Sequence, residues 1–79
     1  MKARYKVGDL IQLIPSNCPD DFYEGRGLIL DDSDGKYYIL FYELKKTSRK
    51  RLYTIDFGQM YYHFDIDVAD KHELFKVLA

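Results

Sequence analysis

The run Lys36–Leu44, KYYILFYEL, constrains the fold of this chain more than any other segment. Every residue from Tyr37 to Tyr42 is aromatic or branched aliphatic, the composition that fits a pleated, packed surface. In an extended strand, Tyr38, Leu40, Tyr42 and Leu44 share one face, and Tyr37, Ile39, Phe41 and Glu43 share the other. Both faces are largely apolar, so the strand is expected to be interior and covered on both sides. No segment shows ten residues at helical period, so helices cannot supply that cover. At 79 residues the chain has room for one small core, and a single all-β domain spanning residues 1–79 follows.

The flanking segments supply the other strands. Tyr5 to Ile14 is β-prone, with a bend at Gly8-Asp9 and an end at Pro15. Residues 15–25, PSNCPDDFYEG, form a long loop whose Phe22 or Tyr23 is expected to cover one end of the core. RGLILDD reads as a short strand, and Asp34-Gly35 as the hairpin turn into KYYILFYEL. KKTSRKR breaks the pattern as a polar loop. LYTIDFGQMYYHFDID is a long strand kinked at Gly58, with Met60, Tyr62, Phe64 and Ile66 inward and Gln59, Tyr61, His63 and Asp65 outward. VADKHE suits one helical turn, and LFKVL a last strand. Five strands with a long first loop and one helical turn before the last strand predict a small bent barrel, because closure removes exposed edges.

Cys18 is the only cysteine, which excludes an intrachain disulfide and a cysteine-rich zinc site. The basic-then-apolar start is interrupted by Gly8, Asp9 and Gln12, unlike a secretory leader, and no apolar run reaches the ~20 residues that span a bilayer. These features point to a cytoplasmic protein with no membrane partner.

VGDLIQL, then FYEGRGLILD, then a hairpin into YYILFY resembles the opening of a KOW or Src-homology-3-like barrel. Gly8-Asp9 and Gly25-Arg26-Gly27 stand where KOW segments carry Gly-Asp and a Gly-x-Gly-like element. DVADKHELFKVL is similar to the helical turn and last strand of that group. The layout also resembles short tailed-phage proteins, which implies the cytoplasm of a host cell. The resemblance implies a five-stranded Src-homology-3-like barrel. The ALYDY-like stretch, the Trp pair and the Pro-x-x-Tyr element that grip proline-rich peptides are missing, so that ligand class is not implied.

Two constellations bear on function. Lys45, Lys46, Arg49, Lys50 and Arg51 place five of the twelve basic residues within seven positions, while all thirteen acidic residues lie outside that segment. Such a cluster can neutralise phosphates, with Tyr53 or another exposed tyrosine stacking on unpaired bases; it can equally be a solvated hairpin tip. The second constellation is the aromatic surplus of eight Tyr and five Phe. A core this small cannot hold thirteen rings, and exposed Tyr is a favoured anchor at interfaces. Tyr61, His63 and Tyr37 are the candidate protein-binding residues.

The catalytic and metal readings are weak. DDSDG has Leu30 and Phe41 where a calcium loop needs an acid and a Glu. A Cys18–His63 or Cys18–His72 pair lacks any recognised spacing and any helix N-terminus to activate the thiol. No catalytic residue, metal, cofactor or small-molecule substrate is expected. The leading expectation is a non-enzymatic module that docks on a protein partner or on itself, as an accessory or assembly component. The alternative is a KOW-like barrel that binds DNA or RNA through residues 45–51 and exposed tyrosines.

Overall fold

The computed structural model describes residues 3–79. The chain is mostly β: β1 (Leu10–Leu13), β2 (Phe22–Asp31), β3 (Lys36–Thr47), β4 (Thr54–Asp65) and β5 (Phe75–Val77), with one helix, α1 (Ile66–His72), before β5. Short 3-10 turns at Pro15–Asn17 and Ser33–Gly35 complete it. All pairings are antiparallel, in the order β4-β3-β2-β1-β5. Five strands and a helical element before the last one agree with expectation, although α1 is seven residues rather than a single turn. The sheet is open. β4 and β5 are its two edges and do not pair with each other, so the expected closure is not made by hydrogen bonds.

The turn at Asp34-Gly35 forms as the sequence indicated, with φ values of 56° and 73° that Asp and Gly tolerate. β1 is shorter than expected, because Lys6–Asp9 make a tight turn before it, with Gly8 at φ 96° and the Asp9 amide donating to the Lys6 carbonyl at 3.0 Å. The Asp9 carboxylate accepts from the Lys6 amide at 3.0 Å. β2 is longer than expected and starts at Phe22, so most of the loop after β1 ends there. Likewise Lys45, Lys46 and Thr47 belong to β3 rather than to a loop, with Lys45 opposite Asp56 and Thr47 opposite Thr54.

β3 is interior, but only one face is fully buried; on the other, Tyr38 and Leu40 are half-buried. Tyr37, Ile39 and Phe41 are fully buried, whereas Tyr42 on the other face is 52% exposed. A bulge corrects the parity: Gly27 faces Phe41 and Arg26 faces Glu43, which leaves Tyr42 as the extra residue. Leu44 thereby turns to the inner face and is fully buried. Gly25 and Gly27 lie opposite this bulge and are themselves buried, so the backbones of β2 and β3 approach where side chains are missing.

The core gathers Ile11, Leu13, Ile29, Tyr37, Ile39, Phe41, Leu44, Ala69, Leu74 and Phe75. Met60, Tyr62, Phe64 and Ile66 pack against it, the inward set the alternation predicted. Rings of Tyr5, Tyr37, Phe64 and Phe75 meet edge to face at centroid distances of 5.0 to 5.9 Å. The Tyr5 hydroxyl donates to the Phe75 carbonyl (2.8 Å), and the Tyr37 hydroxyl donates to Asp70 Oδ1 (2.7 Å) and accepts from the Tyr5 amide (3.2 Å). Asp70 also accepts from the Arg4 amide at 3.0 Å. These bonds tie the N-terminal segment and α1 to the same end of the sheet.

Candidate functional site

The β3–β4 hairpin carries most of the residues singled out from sequence. Its tip, residues 48–53, is closed by the Ser48 amide donating to the Tyr53 carbonyl (2.9 Å) and the Leu52 amide donating to the Ser48 carbonyl (3.0 Å). Beyond the core the alternation of β4 no longer buries anything. Leu52, Tyr53, Ile55 and Phe57 are all exposed, Leu52 at 82%. Tyr61, further along β4, is 71% exposed, and His63 is exposed beside it, as expected of the outward set.

Tyr37 is a correction. It was a candidate docking residue, yet its ring is fully buried and its hydroxyl is occupied by Asp70 and the Tyr5 amide. It shares a face with Ile39 and Phe41, and the core claims that face.

The basic cluster does not act as one patch. The Arg49 guanidinium donates to the Cys18 carbonyl at 2.6 Å and lies 4.2 Å from the centroid of Phe22. The Arg49 amide donates to Asp21, and Lys46 Nζ is 3.4 Å from the same carboxylate and 5.8 Å from the Tyr23 ring. Arg49 and Lys46 therefore clamp the hairpin to the segment after β1. Lys45, Lys50 and Arg51 remain exposed, with no ion pair among the described residues. Asp20 and Asp21 sit beside Lys50, Arg51 and Tyr53 in a shallow depression, so negative charge adjoins the basic residues that are left.

A cleft of 310 Å³ lies between the segment after β1 and β4, its lining including Cys18, Asp20, Asp21, Tyr23, Tyr62 and Asp65. The Tyr23 and Tyr62 hydroxyls are 3.2 Å apart. Burial raises the Tyr23 pKa first of all, and the hydrogen bond to Tyr62 raises it further. Three carboxylates make this cleft unsuited to phosphate.

Cys18 is buried, 3% exposed, rather than lying in an open loop. Its thiol donates weakly to the Ile14 carbonyl at 3.6 Å, and burial pushes its pKa up. Neither imidazole is hydrogen-bonded to it among the described residues. A thiol reagent should therefore modify Cys18 at least about 100-fold more slowly in the native protein than in urea. Equal rates would show that the segment after β1 does not cover it.

No family model, curated protein or solved structure matches the chain. No helix among the described residues is long and apolar enough to cross a membrane, and no three His, Cys, Asp or Glu side chains among them are grouped to hold a metal ion.

The sequence reading missed Leu52, Ile55 and Phe57 as surface residues. A signal was present: 53, 55 and 57 alternate in apolar character while the paired stretch of β3 reads Lys45-Lys46-Thr47. An apolar stretch paired with a polar one lies beyond the core.

Proposed function

We propose that this protein is a non-enzymatic binding module that docks on a protein surface, its own or a partner's. The observation that carries this reading is β4, a twelve-residue strand at the edge of an open sheet, which carries exposed Ile55, Phe57 and Tyr61 and is preceded by exposed Leu52 and Tyr53. Edge strands present unpaired amides and carbonyls, and natural proteins shield them unless they are used. Docking by strand addition takes affinity from main-chain hydrogen bonds and selectivity from the flanking side chains. The strand order and the helix before β5 support the Src-homology-3-like, KOW-like layout that the sequence resembles. A single buried thiol fits a cytoplasmic setting, that of a host cell if the likeness to phage proteins extends to origin. The proposed role is that of an accessory or assembly component.

Nucleic-acid binding through Lys45, Lys46, Arg49, Lys50, Arg51 and Tyr53 is the weaker reading. Two of its five cations are engaged by Asp21, the Cys18 carbonyl and Phe22. Binding strength and its salt slope both scale with the number of phosphates neutralised. Fluorescence anisotropy with labelled single- and double-stranded DNA and RNA separates the two readings. Protein docking expects no salt-sensitive binding at micromolar protein. Binding that falls steeply with salt, and is lost when Lys50 and Arg51 become Ser, would overturn it in favour of nucleic acid.

A further inference from the structure

The charges at the two ends of β4 select one occupant for its open edge. At the N-terminal end, Lys50 and Arg51 project from the tip without an ion pair among the described residues. At the C-terminal end, Asp65 and Asp67 are exposed and equally without an ion pair among them, whereas Asp70 and Glu73 are engaged by Tyr37 and Arg4. With their neighbours counted, the tip sets Lys50 and Arg51, with Lys46 and Arg49 behind them, against Asp20 and Asp21. The far end sets Asp65 and Asp67, with the acidic β2–β3 turn, against Lys36 and Lys71, so one edge has a net positive end and a net negative end. A second copy laid antiparallel along it brings opposite ends together twice, and a parallel in-register copy brings like ends together. Like charges directly opposite in a sheet are destabilising.

We propose that β4 pairs with β4 of a second copy, antiparallel about a twofold axis at Gln59. This rests on the protein-docking reading and names its partner. About that axis the half of β4 that leads from the basic tip lies beside the partner's half that ends at Asp65, with Asp67 at the start of α1 just beyond. Symmetry makes this juxtaposition twice. Phe57 and Gly58 (φ 65°) form a bulge beside the axis, so the ladder is regular from Gln59 to Asp65 and adjusts at the bulge. The exposed aromatics gain cross-strand neighbours, and each edge consumes the other. The pairing is isologous, so it closes at two chains rather than growing into a fibre.

Sedimentation equilibrium across a dilution series reads the outcome. The expected mass at high concentration is twice the 9.4 kDa of one chain. Arg51→Asp and Asp67→Arg should each weaken association about tenfold, because each places like charges together twice. The double variant should restore it. Gln59→Cys should form an intermolecular disulfide under mild oxidation, since the two copies meet there and Cys18 is buried. A chain that stays at 9.4 kDa throughout overturns the inference. So does a dimer whose Gln59→Cys variant does not link, because its contact lies elsewhere. Either result leaves docking on a different protein standing, whereas salt-sensitive nucleic-acid binding would remove the functional reading itself.

Discussion

Gly25→Ala is expected to cost this protein about 3 kcal/mol or more of stability. Gly25 lies inside β2 opposite Leu44, and a methyl group there would overlap the Glu43 carbonyl oxygen and press on the Leu44 backbone. The neighbour is main chain in a ladder, so it cannot rotate away as a side-chain tip could. Relief requires β2 and β3 to part beside the bulge at Tyr42, which would withdraw Leu44 from the core. A domain of this length holds roughly 4 to 12 kcal/mol in total, so the change removes a large share. Gly8→Ala is the control: its new methyl meets nothing within 4 Å, and only the positive φ of 96° opposes it. That strain should cost about 1 kcal/mol. Urea unfolding followed by circular dichroism compares the two. Equal losses would show that β2 and β3 do not approach closely at Gly25.

Much of this architecture is local and was therefore legible. The turn at Asp34-Gly35, the inward set Met60, Tyr62, Phe64 and Ile66, and the final short strand all follow from composition and period. Tyr37 was legible too, since its face holds Ile39 and Phe41; expecting it at the surface set the aromatic surplus above the strand's own alternation. The bulge at Tyr42 was not legible, because it depends on Gly25 and Gly27 across the ladder. One extra residue sends Leu44 inward and leaves Glu43 paired with Arg26. The fate of the basic cluster was hidden for a similar reason. Lys46 and Arg49 read as solvated charges until the segment carrying Asp21 and Phe22 is folded beside them. Closure was the hardest feature to foresee. Whether the first and last edges of a curled sheet meet depends on long-range geometry that periodicity does not report, and the candidate site follows from the answer, because an open sheet leaves β4 available.

Stability is expected to fall steeply as pH rises from 10 towards 12. Burial raises the pKa of Tyr5, Tyr23 and Tyr37 above the usual 10.0, and Tyr37 is pushed up to about 12. For Tyr37 burial is the largest cause; the hydrogen bond from the Tyr5 amide opposes it, and the hydrogen bond donated to Asp70 and that carboxylate's charge raise it further. The native state thus holds protons that the unfolded chain releases near pH 10. Below that pH both states are protonated and the contribution is intact. Above it the unfolded state binds fewer protons, so it is favoured increasingly until the native phenols also ionise. Two units at the fully buried Tyr37 correspond to an order of 3 kcal/mol, and Tyr5 and Tyr23 act in the same direction. Tyr37→Phe separates this from a general alkaline effect. At neutral pH it should lower stability by about 1–2 kcal/mol, because Asp70 and the Tyr5 amide lose a partner. Above pH 10 its decline should be shallower, so the two curves converge. Urea midpoints measured at neutral pH and at successive steps above pH 10 give both curves. Parallel decline of the two proteins would mean that the Tyr37 phenol does not carry the alkaline transition.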